Sequence, residues 1–314
     1  MLLIRDPTNL PQAARSGAVT IGNFDGVHRG HAQIIAGLIG KAREVGGPAM
    51  VLTFDPHPVR LLRPQEAPPP LTWTDRKADL LAELGVDAMI AWPTDESLLQ
   101  LSAREFFDQV VRGRLDARAI VEGPNFFFGR DRQGNVEVLR GFAAEAGIAL
   151  EVVEPVQIEG QVVSSSRVRR LIGEGNVDAA RRMLTQPYRI RGMVTHGAGR
   201  GMRIGFPTAS VDAIDTLLPG VGVYAGRAFA GPASYPAAIS IGPNPTFGEH
   251  RLKVEVHLIG FHGAFYGQPL EVDFLARLRE IQTFAGVEQL KTQLARDVQE
   301  TLRVVAFTTP SGSL

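Results

Sequence analysis

Between residue 18 and about residue 184 the chain alternates strand-like and helix-like hydrophobic patterns, which limits the folds open to this half. Apolar runs typical of buried strands cover residues 18–21, 49–54, 86–92, 119–121 and 148–153. Helical spacing begins near Gly30 after the first run and recurs over residues 74–84 and 102–115. Strands that alternate with helices predict a parallel sheet with helices on both faces. An α/β domain is therefore expected here.

The pattern changes at residues 185–188, Thr-Gln-Pro-Tyr, after which glycines are frequent and helical periodicity is absent until the C-terminus. Short strand-like runs follow at residues 189–195, 237–241, 252–259 and 270–274, and a helical pattern covers residues 286–302. Many short strands separated by Gly/Pro turns indicate a small antiparallel β-barrel. We place the domain boundary near residue 186, giving domains 1–186 and 187–314.

The composition argues against nucleic-acid binding, cysteine chemistry and insertion into a membrane. Lys+Arg and Asp+Glu are both 33, so no basic field points to nucleic acid or to an anionic membrane. The chain has no cysteine, which excludes disulfides and thiolate chemistry. The N-terminus has an acid and a proline where a signal peptide needs an apolar core, and no run approaches about 18 apolar residues. We expect a cytoplasmic protein without a membrane span; a homo-oligomer is left open.

The strand-to-helix junction at residues 18–31 carries two histidines, His28 and His31, at the point where the helix begins. Residues three apart lie on the same side of a helical turn. The N-terminus of a helix attracts phosphate through its free N–H groups and its dipole. Two imidazoles there can stabilise charge on a triphosphate during phosphoryl or nucleotidyl transfer. The alternative is structural: a turn residue and a donor in the first turn.

Two further loops follow predicted strands and are expected at the same sheet edge, since ligands bind beyond the carboxyl ends of parallel strands. One contains His57 and the other Asn125. The Asn125 amide can bond a nucleotide. Phenylalanines 126–128 can wall a flat ring, although such a cluster is more typical of a core.

A hydroxyl-rich segment, Ser164-Ser165-Ser166-Arg167, precedes a helix that ends near Gly173. The hydroxyls can cap that helix, or they can bind phosphate together with the helix dipole and Arg167. Arg169 and Arg170, which follow, are more typical of a solvated or ion-paired face.

The second half has its own candidate site. Residues 196–210 form a glycine-rich loop whose amides can wrap phosphates, although a barrel rich in tight turns gives a similar pattern. The Thr208 hydroxyl is a suitable magnesium ligand. Glu255 alternates with valines, so it is expected to face away from them, where its carboxylate can accept a proton from a substrate hydroxyl.

Taken together, these segments resemble the bifunctional riboflavin kinase/FAD synthetases of bacteria over residues 22 to about 297. The motifs that carry the resemblance are residues 22–31, 53–58, 123–129, 164–167, 205–209, 242–247 and 254–257. The resemblance implies an N-terminal Rossmann-like nucleotidyltransferase domain and a C-terminal six-stranded kinase barrel.

The resemblance also implies the chemistry. The barrel would phosphorylate riboflavin to FMN with ATP and Mg²⁺, using Glu255 as base and Thr208 and Ser210 around the metal. The first domain would join FMN and ATP into FAD, with His28 and His31 stabilising the transition state. The residues implied to bind nucleotide or phosphate are Gly22, Phe24, Asp25, Gly30, Asn125, Ser164, Ser165, Arg167, Gly197, Gly199, Gly201 and Gly205. The residues implied to contact flavin are Asp55, His57, Phe126 and Phe128.

The chain departs from the family pattern in three places. Serine replaces the usual threonine at Ser166 and the usual asparagine at Ser210. Gly260, His262 and Ala264 occupy usual aspartate positions. A serine hydroxyl is a shorter and weaker oxygen donor than an amide carbonyl, so the pattern leaves open an intact adenylyltransferase joined to a weak or silent kinase.

Two other classes of protein remain as alternatives. One is a non-catalytic flavin or nucleotide sensor on the same fold. The other is a cytidylyltransferase-like or class I synthetase-like enzyme that keeps His-x-Gly-His but acts on another substrate. A synthetase would need a lysine-rich signature loop, which is absent from the sequence.

Overall fold

The computed structural model describes residues 1–196, 199–243, 252–263 and 266–308, and it divides into two compact units. The first unit comprises Met1–Pro68 and Trp73–Ser164, and the second comprises Pro69–Thr72 and Ser165–Leu314. Each unit is described by itself below. These units divide between Ser164 and Ser165. The predicted boundary near residue 186 separates the two expected functional domains, and it stays a prediction.

The first unit is built around a parallel sheet. Its strands are β1 (Leu2–Ile4), β2 (Ala18–Ile21), β3 (Ala49–Asp55), β4 (Ala88–Pro93), β5 (Ala119–Glu122), β6 (Phe127–Phe128), β7 (Gly134–Asn135), β8 (Ala149–Val152), β9 (Gln157–Ile158) and β10 (Gln161–Val162). Its helices are α1 (Arg29–Val45), α2 (Val59–Leu62), α3 (Thr74–Glu83), α4 (Glu96–Gln100), α5 (Ala103–Phe106) and α6 (Val136–Ala146). Helix α5 continues into a wider π-helical segment, Phe107–Arg114.

The main sheet has the strand order β1-β4-β3-β2-β5-β8, and every neighbouring pair is parallel. Alternate residues of each strand enter different cores. Val19 and Ile21 pack with Phe107 on one face, whereas Ala18 packs with Ile35 and Leu38 of α1 on the other. The predicted parallel sheet with helices on both faces is therefore confirmed.

Helix α1 has clear sequence reasons for its position. Ile35, Leu38 and Ala42 recur on one face and are buried. The helix begins where His28 caps it and ends at Gly46, which adopts a left-handed conformation with φ of 66°. Both ends are thus determined locally, which places the start of α1 directly beyond the carboxyl end of β2.

The second unit is a closed antiparallel barrel, as the pattern of short strands predicts. Its strands are β11 (Tyr188–Thr195), β12 (Ala209–Asp212), β13 (Gly222–Ala230), β14 (Ala233–Gly242), β15 (Lys253–Leu258) and β16 (Pro269–Arg279). They close in the order β11-β12-β15-β14-β13-β16. Its helices are α7 (Ser165–Gly173), α8 (Val177–Met183), α9 (Arg200–Arg203) and α10 (Val287–Thr308).

Strand β15 of the barrel has a buried apolar face and a more exposed polar face. On β15, Val254, Val256 and Leu258 are buried, whereas Glu255 and His257 are only half-buried and lie on the opposite face. The expected orientation of Glu255 is therefore confirmed. In the part of the chain that the structure describes, every helix is too short or too polar to cross a bilayer.

Candidate active sites

The first candidate site lies at the carboxyl edge of the parallel sheet. Strand β2 is central, with β3 and β5 as its two neighbours, so the loops that follow these three strands begin side by side. A hydrogen bond joins the loop after β2 to the end of β3: the Thr53 hydroxyl donates to the Asn23 carbonyl at 3.2 Å. Asn125, after β5, is solvent-exposed. Parallel pairing thus brings the predicted loops to one edge.

The turn between β2 and α1 has an unusual backbone. Phe24 and Val27 have φ of 46° and 38°, and Gly26 has φ of 83°. Positive φ is costly for a β-branched residue such as valine and is found where the surrounding structure enforces it. Phe24 and Asp25 are only 3% and 6% exposed, so the turn is anchored in the protein interior.

His28 and His31 are held together at the start of α1. The His28 Nδ1 accepts a hydrogen bond from the His31 backbone N–H at 3.3 Å and so caps the helix. The two rings stack with centroids 3.6 Å apart. Because Nδ1 accepts, the proton of a neutral His28 ring lies on Nε2. The structural role of His28 as a helix cap is therefore confirmed, and its chemical role stays a prediction.

Gly30, between the two histidines, leaves room for the His28 ring. A Cβ at this position would lie 3.1 Å from Cε1 and Nδ1 of the His28 ring and 3.4 Å from the Val163 carbonyl oxygen. Contacts at 3.1 Å are tighter than ordinary van der Waals packing. The glycine thus allows the His28 ring to lie against the first turn of α1.

The environment of His31 keeps its ring neutral. Burial, followed by the nearby His28 and Lys77, lowers the pKa of His31 well below 6.5. Its Nδ1 is buried and has no hydrogen-bond partner among the described residues, and the Asn23 Oδ1 is in the same situation. A buried polar atom without a partner costs free energy. Two such atoms at the edge where ligands bind are suited to a polar ligand.

Two buried ionisable residues near this edge were not identified from the sequence. Lys77 of α3 is 8% exposed, and Glu122 at the end of β5 is 3% exposed. The Glu122 carboxyl accepts from the Ile21 N–H at 2.6 Å, while burial raises its pKa well above 4.5. Because β2 and β5 are neighbours, Glu122 anchors the last residue of β2 before the turn.

The residues implied to contact flavin lie in the loops after β3 and β5. Asp55 accepts from the Thr74 hydroxyl at 2.6 Å, and the His57 Nδ1 accepts from the Val59 N–H at 3.1 Å. Phe126 is half-buried and stacks on Phe128 with centroids 5.4 Å apart. Phe128 is itself only 7% exposed within the hydrophobic core. Its position matches the core alternative; flavin contact by Asp55, His57, Phe126 and Phe128 stays a prediction.

The hydroxyl-rich segment starts a helix, as expected. Ser164 is the last residue of the first unit, and α7 begins at Ser165 in the second unit. Arg167, in the first turn of α7, is half-buried. Phosphate binding by Ser164, Ser165 and Arg167 stays a prediction.

The second candidate site is a cavity of about 240 Å³ in the barrel unit. Five predicted residues line it together: Gly199, Gly201, Thr208, Ser210 and Glu255. Gly205, with φ of 90°, lies in the same loop but does not line the cavity. Gly197 falls outside the described residues. The sequence thus located this site on residues that are up to 56 positions apart (199 to 255).

The loop needs glycine at two of these positions. Gly199 has φ of 66°, which favours a residue without a side chain. A Cβ on Gly201 would lie 2.2 Å from the Phe206 carbonyl oxygen, which leaves no room for one. These constraints bring the backbone of the loop close to the cavity.

Strand pairing sets the relative positions of the polar groups. Glu255 of β15 lies directly opposite Ser210 of β12 on one side and Ser240 of β14 on the other. Ser240 also lines the cavity and was not identified from the sequence. The His257 Nδ1 donates to the Pro207 carbonyl at 2.7 Å, which ties β15 to the residue before Thr208.

A buried ion pair forms another part of the cavity wall. The Arg279 guanidinium donates to both carboxylate oxygens of Asp297, at 3.0 Å from Nε and 2.7 Å from the terminal nitrogen. Asp297 is 4% exposed and also accepts from the Gln293 amide at 2.9 Å. The pair joins β16 to α10. Its partners are 18 positions apart in different elements, so no local pattern indicates it.

The donor set of this cavity is compatible with magnesium. Thr208, Ser210 and Glu255 offer oxygen, which Mg²⁺ prefers, and Mg²⁺ commonly takes only one or two protein ligands plus substrate phosphates. Among the described residues no group of three or more His, Cys, Asp or Glu is placed to hold a metal by itself. Gly260 and His262, at usual aspartate positions, are exposed in the loop after β15, and Ala264 lies outside the described residues.

Two family models match the two parts of this chain. The family model for FAD synthetase matches residues 10–167, and the model for riboflavin kinase matches residues 184–305. A bifunctional riboflavin kinase/FMN adenylyltransferase from Pseudomonas fluorescens is 38% identical over 95% of this chain and 96% of its own length. The enzyme of the same description from Escherichia coli K12 is 35% identical over 99% and 100%.

A solved structure also shares the architecture of the whole chain. A protein from Streptococcus pneumoniae, described as a macrolide-efflux protein, superimposes with a TM-score of 0.84 and 30% identity, covering 96% of this chain and 98% of its own. The order of the two matching family models agrees with the full-length similarity to the bifunctional relatives. The chain therefore belongs to the family of bifunctional riboflavin kinase/FMN adenylyltransferases.

Proposed function

We propose that this chain is a transferase that phosphorylates riboflavin to FMN in its barrel domain and adenylylates FMN to FAD in its α/β domain. The observation that carries the proposal is full-length similarity to enzymes with both activities, over 95% or more of this chain. The arrangement of candidate residues at the sheet edge and in the barrel cavity supports it.

In the adenylyl transfer, a phosphate oxygen of FMN bonds to the α-phosphorus of ATP while the bond to the β-phosphate breaks and pyrophosphate leaves. The attacking phosphate is already anionic, so the protein needs no nucleophile of its own. Catalysis then consists of positioning and of charge stabilisation. His28 donates from Nε2 toward the phosphates, and the neutral His31 ring adds a second polar contact. The dipole of α1 attracts the same negative charge.

In the kinase reaction, Glu255 accepts the proton of the ribityl 5′-hydroxyl as that oxygen attacks the γ-phosphorus of ATP. ADP is the leaving group. Gly199 and Gly201 bring backbone amides close to the phosphates, and the tether from His257 to Pro207 orients Thr208. When bound, Mg²⁺ neutralises charge on the phosphates, and Thr208 and Ser210 are the residues that would hold it.

The proposal extends to the setting of the enzyme. We assign residues 1–186 to adenylyl transfer and residues 187–314 to the kinase. We place the enzyme in the cytoplasm, consistent with a chain that has no cysteine. Its partners are small molecules: ATP, riboflavin and FMN.

The test uses two parallel incubations, riboflavin or FMN with ATP and Mg²⁺, followed by chromatographic separation of the flavins. FAD from both substrates is the expected result. FAD from FMN alone would restrict the function to adenylyl transfer, and no new flavin in either incubation would refute the proposal. Omission of Mg²⁺ is expected to abolish both products.

A further inference from the structure

Lys77 is a buried lysine that the proposed chemistry does not use. It lies in α3, is 8% exposed, and belongs to the first unit. Lysine is rarely buried unless its ammonium group is paired. A lysine in this position therefore needs a specific role for its three donors.

The Lys77 ammonium group contacts the strained turn directly. Its Nζ donates to the Asn23 carbonyl at 2.6 Å and to the Thr53 hydroxyl at 3.2 Å. The Thr53 hydroxyl in turn donates to the same Asn23 carbonyl at 3.2 Å. One backbone oxygen of the turn is thus held from α3 and from β3 at once.

The turn that Lys77 holds contains the positive-φ residues Phe24 and Val27 and leads into His28. Backbone in these sparsely populated regions persists only where surrounding contacts enforce it. Gly22, directly before Asn23, donates to the Leu52 carbonyl at 2.9 Å. Two consecutive residues are thus anchored at the start of the turn, and the strained residues lie between them and the helix cap at His28.

The charge of Lys77 acts at the same site. Nearby Asp25 and Asp55 raise the pKa of Lys77, while burial, the larger effect, lowers it. The Lys77 charge also contributes to the lowered pKa of His31. A cation lies near the place where the ATP phosphates are proposed to bind.

We propose that Lys77 is a positioning residue for adenylyl transfer: it holds the Asn23 carbonyl and thereby sets the geometry of the turn that orients His28 and His31 toward the ATP phosphates. This inference rests on the proposed function. Lys77 does not touch the reacting atoms, so it acts through the turn.

Lys77→Met tests this role, because methionine keeps most of the side-chain volume and removes all three donors. Asn23 then loses its strongest partner, and the turn relaxes from its strained conformation. A small misplacement of reacting groups can cost roughly 10²-fold in rate. We expect kcat for FAD formation from FMN to fall about 10- to 100-fold, while KM for ATP changes by less than threefold. A change in the orientation of His28 and His31 weakens contacts to the transition state more than contacts to bound ATP.

Riboflavin phosphorylation by the same variant is the internal control, because the kinase residues lie in the other unit. Leu80→Ala is the matched control on the same helix: Leu80 is 5% exposed and packs in the hydrophobic core, and its side chain has no donor for the Asn23 carbonyl. It is expected to lower the melting temperature of the first unit but to leave kcat for FAD formation within about twofold.

A rescue separates positioning from folding. The chain has no cysteine, so Lys77→Cys creates a single thiol that bromoethylamine converts, in the unfolded chain before refolding, to a thioether isostere of lysine. We expect this treatment to restore most of kcat. Thr53→Val, which removes the shared hydroxyl, is expected to give a smaller loss of kcat in the same direction.

Four results would overturn the proposal: unchanged kcat in Lys77→Met, equal losses in Lys77→Met and Leu80→Ala, no rescue of refolded Lys77→Cys, or a rise in KM for ATP without a fall in kcat. A wild-type protein that makes no FAD from FMN would instead show that the proposed function itself fails. The wild-type and variant results thus distinguish the two failures.

Discussion

The two candidate sites are held in place by different kinds of structure. The site in the α/β unit is made of buried groups around a strained turn: Phe24, Asp25 and His28 are all under 7% exposed. The site in the barrel unit is an open cavity whose key side chains, Ser210 and Glu255, are half-buried on the outer face of the strands. The first holds its geometry through backbone and burial, and the second through strand register.

This difference has a consequence for how each site responds to change. A site supported by a turn and a helix cap is sensitive to single atoms beneath it, because the interior is close-packed. A site arranged by strand pairing tolerates exchanges on its open face, because the register is set by the hydrophobic pattern of the buried face and by the turns. Substitutions should therefore affect the two activities separately.

The largest expected effect is loss of the kinase alone. Glu255→Gln keeps the size of the side chain and removes the proton acceptor, and general-base catalysis contributes roughly 10²–10⁴-fold. Riboflavin phosphorylation is expected to fall by about this factor, while FAD formation from supplied FMN stays within about twofold. Both rates are measured in one preparation by flavin chromatography. Equal loss of both activities would contradict the separation of the sites.

The reverse separation is expected for His28→Asn. Asparagine is a good helix N-cap, so it preserves the capping role and removes the imidazole donor. Loss of one preorganised donor typically costs roughly 10²–10³-fold in kcat. FAD formation from FMN should fall by about that factor with riboflavin phosphorylation unaffected.

His28→Ala provides the comparison for that variant, since it removes the cap as well. It is expected to lose about 1 kcal/mol more stability than His28→Asn. Full adenylyl transfer by His28→Asn would show that only the cap matters.

Gly30→Ala should give an intermediate effect. The new Cβ would press on the His28 ring at 3.1 Å, so the ring must tilt from its stack with His31. We expect about a tenfold fall in kcat for FAD formation, the fold-change that about 1.4 kcal/mol of lost transition-state stabilisation gives. Gly40→Ala on the same helix, where a Cβ meets nothing within 4 Å, is the control and should leave the rate unchanged.

The pH dependence of stability should also separate the two units. The folded pKa of His31 is lowered, so the unfolded chain takes up a proton near pH 6.5 before the folded chain does. Stability of the first unit is therefore expected to fall as pH decreases from 6.5 toward the folded pKa. Glu122 acts in the opposite sense, because burial raises the pKa of its carboxyl in the folded protein. Its contribution to the free energy of unfolding is therefore lost as pH rises above 4.5.

His31→Gln isolates the histidine contribution to that profile. Thermal melts of the wild-type protein and this variant between pH 8 and pH 5 are expected to differ in slope, with the variant flatter below pH 6.5. Parallel profiles would contradict a neutral, buried His31.

The smallest expected effect is a gain. Ser210 faces Glu255 across the strand pair at a position where the amide of asparagine offers a longer and stronger oxygen donor. Ser210→Asn is expected to lower the Mg²⁺ concentration needed for half-maximal kinase rate by about threefold, which corresponds to roughly 0.6 kcal/mol. Adenylyl transfer in the same tube should not change.

Much of the α/β unit could be predicted because its signals are local. The run at residues 18–21, the glycine turn and the helix after His28 follow one another in sequence, and the cap and its partner are only three residues apart. Edge strand β1 and helix α6 were not predicted, although α6 has local signals of its own: an N-cap at Asn135 and a left-handed glycine at Gly147. Strand β13 is nine residues long, but Gly226 interrupts the apolar pattern of its sequence. Its place in the barrel comes from its pairing with β14 and β16.

The charged residues beneath and around the sites could not be found in this way. Lys77, Glu122, Arg279 and Asp297 have ordinary sequence neighbours, and a charged residue on a helix is by default solvated. Their burial depends on elements distant along the chain. Lys77 donates to the carbonyl of Asn23, which is 54 residues away, and Arg279 donates to the carboxylate of Asp297, which is 18 residues away.

The sequence by itself determined the two fold classes, their order along the chain and the candidate residues for chemistry, because periodicity, turns and motif spacing are properties of short segments. Only the tertiary structure decided which of those residues share a site and which charges support them. The physical reason is that desolvation, hydrogen-bond pairing and strand register depend on neighbours that the fold, not the chain, brings together.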